Sequence, residues 1–351
     1  MSEVLRVRLP KGNGAKDPND FEERDALKDV VREVIEEAEK TKRGAFPFLY
    51  AHELDGVESD SYLIDRWVPA AGVHVMYAKK DCLKSFIAVD WFLSVASGEP
   101  WKGHDVEQGL CIYIAGEGNR GLRRRMKAWA IRNQVDLKVL PIALSKWPMQ
   151  ALDVENIRQW SDYIAAVEEH YGRPAKFIVV DTLATNFGPG EENSSTDMAQ
   201  FLAHLSIYLK RDTDATVLVV HHTGKDAERG ARGGYSIEAN AEAVYEVTRV
   251  EVPGQDWDRT VELRVKHLKD DDAPPLMVLK GNAVELGTTD RHGDPMTSLV
   301  LDIVLSEQEQ AVLNQTNAGR SQRQIAEFLG HKSATPVNRI VRRLRAMGML
   351  T

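Results

Sequence analysis

The sequence has little cysteine, no long apolar run and no excess of positive charge, and each shortage excludes a class of protein. Two cysteines in 351 residues, Cys82 and Cys111, cannot build a disulfide framework or supply a four-ligand zinc site by themselves. No stretch approaches the roughly 18 consecutive apolar residues of a membrane span. The opening segment, MSEVLRVRLPKGNGAKD, lacks the apolar core of a secretion signal. A reduced, cytoplasmic setting without a membrane partner is therefore expected. The 45 basic residues are outnumbered by 53 acidic ones, a net charge of −8, so any nucleic-acid contact has to come from local basic patches. Core-forming material is plentiful: 43% of residues are hydrophobic, which excludes disorder along the whole chain and suits a large core with appendages.

Three segments are expected. In 1–60, residues 1–20 read as a polar arm, and 21–42 place Leu27, Val30, Val31, Val34 and Ile35 on one helical stripe. The opposite face of that helix is charged in both signs, so it is either solvated or docks on a partner. In 61–300, apolar runs at 73–77, 110–115, 177–180, 216–220 and 261–265 alternate with helical patterns at 85–96, 120–132, 154–171 and 196–210. Continuous β-branched runs bounded by helices predict an α/β domain whose mostly parallel sheet is buried on both faces.

In 301–351 the pattern is all-helical: 305–313, then 321–329 opened by Ser321 with Gln324 three residues on, a turn at Gly330-His331-Lys332, and 335–347. Ile325, Leu329, Val337, Ile340, Val341 and Leu344 would form its shared core. A short helix, a tight turn and a longer basic helix describe a small all-α helix-turn-helix, plain or winged. From 306 to 351 there are seven Lys or Arg against three Glu, a local charge of +4 on an acidic chain. Arg339, Arg342, Arg343 and Arg345 fall largely on the exposed face of the third helix and are candidates for DNA contact. The other reading of this module is a protein-contact surface.

The first apolar run ends in Ala78-Lys79-Lys80-Asp81-Cys82-Leu83-Lys84-Ser85, and a helical pattern beginning at Phe86 follows. A strand, a loop closing on Lys-Ser and a helix are the layout of a phosphate-binding loop. Loop amides and the helix N-terminus would face the phosphates, Lys84 would neutralise them, and Ser85 could ligate Mg²⁺. Glycines usually hold the first and sixth positions, where this chain has Ala78 and Leu83; glycine is favoured where a loop needs positive φ. Taken alone, an ordinary strand-to-helix turn explains the segment as well. Three further strand ends join it. LCIYIAGEG delivers Glu117, KFIVVDTL delivers Asp181, and TVLVVHHTGK delivers His221 and His222. Carboxyl ends of parallel strands open on one crevice, which would bring Lys84, Ser85, Glu117, Asp181 and His222 together. Adjacent strand residues point to opposite faces, so His221 and His222 are not expected to share a metal ion, and one of them belongs to the core.

YLIDRWVPAAGVHVMY before the loop, KSFIAVDWFLSVASGEPW after it, and then IYIAGEGNRGLRRRMKAW, IVVDTL and HHTGKDAERGARGG carry a family likeness. From about residue 62 to 271 the chain resembles the RecA-like hexameric helicases of the plasmid RepA type, relatives of the DnaB replicative helicases. The resemblance implies ATP binding and hydrolysis with Mg²⁺ at the subunit interfaces of a homo-hexameric ring. It implies action on DNA, single-stranded in the ring channel, in plasmid, phage or mobile-element replication or recombination; duplex contact through the C-terminal module is expected from its helix-turn-helix pattern instead. It assigns Ala78, Lys79, Lys80, Asp81, Cys82, Leu83, Lys84, Ser85 and Phe86 to the nucleotide cradle. Ser85 and Asp181 would hold the metal, Glu117 would be the general base, and His222 the sensor of the γ-phosphate.

Arg125 resembles the arginine that stacks on adenine, and reads equally well as one member of a solvated face with Arg123, Arg124 and Lys127. A cation reaching in from a neighbouring subunit would be one of Arg229, Arg232, Arg264, Lys266 or Lys269, and spacing does not choose among them. In 224–235, GKDAERGARGGY, the residues Lys225, Arg229 and Arg232 suit single-stranded DNA phosphates, or decorate an ordinary surface loop. Loss of both loop glycines leaves two readings open: an ATP-driven motor or loader, and a DNA-binding accessory protein whose core no longer hydrolyses ATP. A regulator led by the helix-turn-helix would leave the large core unexplained.

Overall fold

The structure, a computed structural model, describes residues 61–116, 119–210, 215–223, 234–251, 257–269, 271–346 and 349–350. The helix expected at 21–42, Glu117, and the loop cations Lys225, Arg229 and Arg232 lie outside the described residues.

A small antiparallel pair, β1 (Tyr62–Ile64) and β2 (Val68–Pro69), precedes the main sheet. That sheet comprises β3 (Gly72–Ala78), β4 (Leu110–Ala115), β5 (Ile142–Leu144), β6 (Ala175–Asp181), β7 (Thr216–His222), β8 (Ala243–Arg249), β9 (Thr260–Leu268), β10 (Met277–Thr289) and β11 (Pro295–Ile303). Their spatial order is β11-β10-β9-β8-β3-β7-β6-β4-β5. From β8 to β5 every pairing is parallel. Strands β3, β6 and β7 are the Val- and Ile-rich runs, buried nearly throughout, as strands covered by helices on both faces must be.

Strands β9, β10 and β11 extend the sheet antiparallel. Only residues 250–259 separate β8 from β9, too short a connection for the crossover that a parallel return requires. Strands β8, β10 and β11 escape a reading of the sequence. Glu246 interrupts β8, and β10 and β11 mix buried and exposed positions instead of forming apolar runs.

Helices cover both faces. On one side α1 (Lys84–Ser97) and α2 (Asn119–Asn133) pack in a core with Trp67, Trp91, Trp101 and Tyr245. Helix α1 is buried almost all round, and its Asp90 accepts hydrogen bonds from Trp101 Nε1 at 2.9 Å and Trp129 Nε1 at 2.7 Å. Lys102 Nζ, 2.9 Å away, completes the pairing that a buried carboxylate needs. Asp90 thereby fastens α2 to α1. On the other side α3 (Val154–Tyr171), the short α4 (Leu183–Asn186), and α5 (Ser195–His204) with its π-helical continuation Leu205–Lys210 build a second core. Helix α6 (Gly234–Asn240) leads into β8. No helix among the described residues is long and apolar enough to cross a membrane.

After β11 come α7 (Glu307–Asn317), α8 (Gln322–Phe328) and α9 (Thr335–Ala346). Ser306 with Glu309, and Ser321 with Gln324, form reciprocal capping boxes that fix the starts of α7 and α8. Val312, Ile325, Ala326, Val337, Val341 and Leu344 are their common core. No strand follows Ile303 among the described residues, so the winged alternative finds no support there.

Candidate nucleotide site

The carboxyl ends of β3, β4, β6 and β7 lie side by side, and the loop 79–83 connects β3 to α1 above them. Its backbone explains the unusual sequence. Ala78, at the first glycine position, is still strand, paired with His222 and Val247, and needs no positive φ. Leu83, at the sixth, has φ 58°, and Asp81 has φ 63°. Left-handed backbone costs a residue with a side chain roughly 1–2 kcal/mol. The Leu83 side chain is buried beside Gly281 of β10, where an added Cβ would come within 3.3 Å of it. That burial offsets the strain, since a fully buried leucine contributes about 1.5–3 kcal/mol. The carbonyl of Leu83 accepts from Phe86 N at 2.9 Å and Ile87 N at 3.1 Å, opening α1.

Lys84 is buried, with Nζ 2.6 Å from His222 Nδ1 and 3.4 Å from the Lys79 carbonyl. Ser85 Oγ donates to Asp181 Oδ1 at 3.3 Å, and Tyr113 donates its hydroxyl to Asp181 Oδ2 at 2.6 Å. Burial, and then the Asp181 charge, push the Tyr113 phenol well above its ordinary range, so it remains a donor. These groups open on a cavity of about 440 Å³. His222 lines it, whereas His221 is fully buried on the opposite face of β7. Arg125 lines the cavity too, its guanidinium 4.6 Å over the Phe86 ring, while Arg123, Arg124 and Lys127 are exposed.

Other candidates lie elsewhere. Arg264 is exposed on β9, Lys266 pairs with Glu246 at 3.7 Å, and Lys269 pairs with Glu242 at 3.2 Å; none of the three lines the cavity. Arg339 and Arg342 are exposed on α9. Arg343 is not free on that face: it pairs with Glu309 at 3.1 Å and donates to the Leu276 carbonyl at 3.1 Å, because its helix position turns it toward α7 and the main sheet. Sequence reasoning missed Tyr113, whose phenol is the one polar tip in the apolar run of β4. It also missed Trp257, Arg259 and Leu299, cavity walls that carry no motif.

The oxygen donors Ser85 and Asp181 suit a hard cation such as Mg²⁺. No group of three or more His, Cys, Asp or Glu fit to hold a metal occurs among the described residues. A Mg²⁺ here would take its remaining ligands from water and phosphate oxygens, as this ion commonly does.

A family model described as an AAA domain matches residues 40–228. The chain belongs to that family. The AAA-domain match contains the loop, Asp181 and His222, and ends before β8 and the antiparallel extension. Among solved structures, one ATPase domain is similar at 12% identity and a TM-score of 0.44, over 60% of this chain and 81% of that chain. A search of curated proteins gives no match.

Proposed function

We propose that this AAA-domain chain is a Mg²⁺-dependent ATPase of RecA-like motor type that acts on DNA as a helicase or loader. The observation that carries the reading is the meeting of buried Lys84 and the Ser85–Asp181 pair at one cavity built on strand ends. When bound, the metal would neutralise charge on the β- and γ-phosphates. Lys84 would turn its ammonium from His222 to the phosphates. That exchange releases His222 Nδ1 from Lys84 and gives β7 a means of sensing whether the site is filled. Tyr113 fixes one oxygen of Asp181 and leaves the other toward Ser85. Arg125, stacked on Phe86, offers a flat cation for the base. Glu117, which follows Gly116 beyond β4, is the proposed base that orients water, with ADP and phosphate as products.

In this reading 1–60 is an arm, 61–300 the motor core and 301–351 a helix-turn-helix. Arg339 and Arg342 would meet duplex phosphates; Lys225, Arg229 and Arg232 would meet single strands. The working form would be a cytoplasmic homo-hexamer in which Arg232, Arg264, Lys266 or Lys269 reaches the neighbour's γ-phosphate. The test is phosphate release by wild type and Lys84→Ala, with and without single-stranded DNA. Turnover that rises with DNA and vanishes in Lys84→Ala supports the motor. Leu83 at φ 58° favours a second reading, an accessory protein that binds DNA without hydrolysis; DNA binding with no turnover would select it.

A further inference from the structure

The loop between β3 and α1 needs a restraint that its own sequence does not supply. A phosphate cradle works by aiming amides inward, which turns carbonyls outward, and those carbonyls need donors. Here two non-glycine residues, Asp81 and Leu83, sit at φ 63° and 58°. Strained backbone of this kind persists only where its surroundings hold it. Leu83 is held by its buried side chain. The Asp81 end is held differently. Arg249, the last residue of β8, donates through Nη2 to the Asp81 carbonyl at 3.3 Å and the Lys80 carbonyl at 3.5 Å. Its guanidinium lies 4.2 Å over the Trp257 ring. Trp257 is fixed in turn, donating Nε1 to the Thr260 carbonyl at 2.9 Å, and it lines the same cavity as Lys84.

We propose that Arg249, clamped by Trp257, is a positioning residue that holds the loop in its phosphate-binding shape from outside the cavity. This rests on the nucleotide reading above and adds to it that the end of β8 and its connection to β9, beyond the family match, govern affinity for phosphates. Arginine suits the position because one planar cation can bridge two carbonyls and stack on an indole together, which lysine cannot.

The test is equilibrium binding of fluorescent Mg–ATP and Mg–ADP to wild type, Lys84→Ala, Arg249→Gln, Arg249→Lys, Trp257→Ala and Trp257→Phe, with nucleotide-free melting temperatures alongside. Arg249→Gln is expected to weaken both nucleotides about tenfold at unchanged melting temperature, the scale of a lost charge-assisted hydrogen bond. Arg249→Lys should recover little, Trp257→Ala should match Arg249→Gln, and Trp257→Phe, which keeps a ring face, should stay near wild type. Combining Arg249→Gln with Trp257→Ala should add little, since the two act as one unit. Affinity unchanged in Arg249→Gln but abolished in Lys84→Ala overturns this proposal and leaves the nucleotide site standing. A fall in melting temperature alongside lost binding assigns Arg249 to the fold and also overturns it. Wild-type chain that binds neither nucleotide overturns both readings.

Discussion

Ser85 Oγ and Asp181 Oδ1, 96 residues apart in sequence, lie 3.3 Å apart. The hydroxyl comes from the first turn of α1 and the carboxylate from the end of β6, two strands away from β3 in the sheet. Strand β7 lies between those two strands, and both side chains line the cavity above the strand ends. Asp181→Asn is expected to lower Mg²⁺-dependent turnover on the order of 10²-fold, as loss of a preorganised charge does. Phosphate release across a Mg²⁺ titration measures it, and undiminished turnover would move the metal elsewhere.

The two missing glycines should behave differently. Leu83→Gly removes backbone strain of roughly 1–2 kcal/mol but loses a buried side chain contributing about 1.5–3 kcal/mol, so a net loss of roughly 1 kcal/mol is expected. Ala78→Gly, within the paired strand, should leave nucleotide affinity unchanged. Urea unfolding reads the first and nucleotide titration the second.

Acid should destabilise the fold through two histidines. Burial pulls His74 and His104 from the ordinary 6.5 down to about 4. His104 sits neutral with Nε2 3.1 Å from Trp67 Nε1. The unfolded chain takes up protons below pH 6.5 that the folded chain refuses until about 4, so stability falls as pH drops through that window. Each group accounts for at most about 1.4 kcal/mol per pH unit. Unfolding midpoints from pH 7 to 4 should show the fall, and His74→Gln should flatten part of it.

On α9 the arginines should separate into two kinds. Arg339→Gln or Arg342→Gln should weaken duplex binding and reduce the slope of log affinity against log salt by about one each. Arg343→Gln should instead lower the melting temperature, because it breaks the Glu309 and Leu276 contacts. Equal salt slopes for all three variants would count against DNA contact by this helix.

The central parallel strands β3, β4, β6 and β7 are legible in the amino-acid order, because strands buried on both faces must be written as unbroken apolar runs such as 177–180 and 216–220. So are the helices after Ile303, whose capping residues Ser321 and Gln324 act within one turn. Lys84, Ser85, Asp181 and His222 stand out for the same reason: each lies at the end of a periodic element. Long-range packing was needed to show that Ala78 requires no glycine, that Leu83 anchors on β10, that Arg249, stacked on Trp257, reaches the loop, and that Tyr113 holds Asp181. Those are contacts between segments far apart along the chain. A half-exposed strand end or a single aromatic residue leaves no periodic trace, and its role exists only once the sheet brings its strands together.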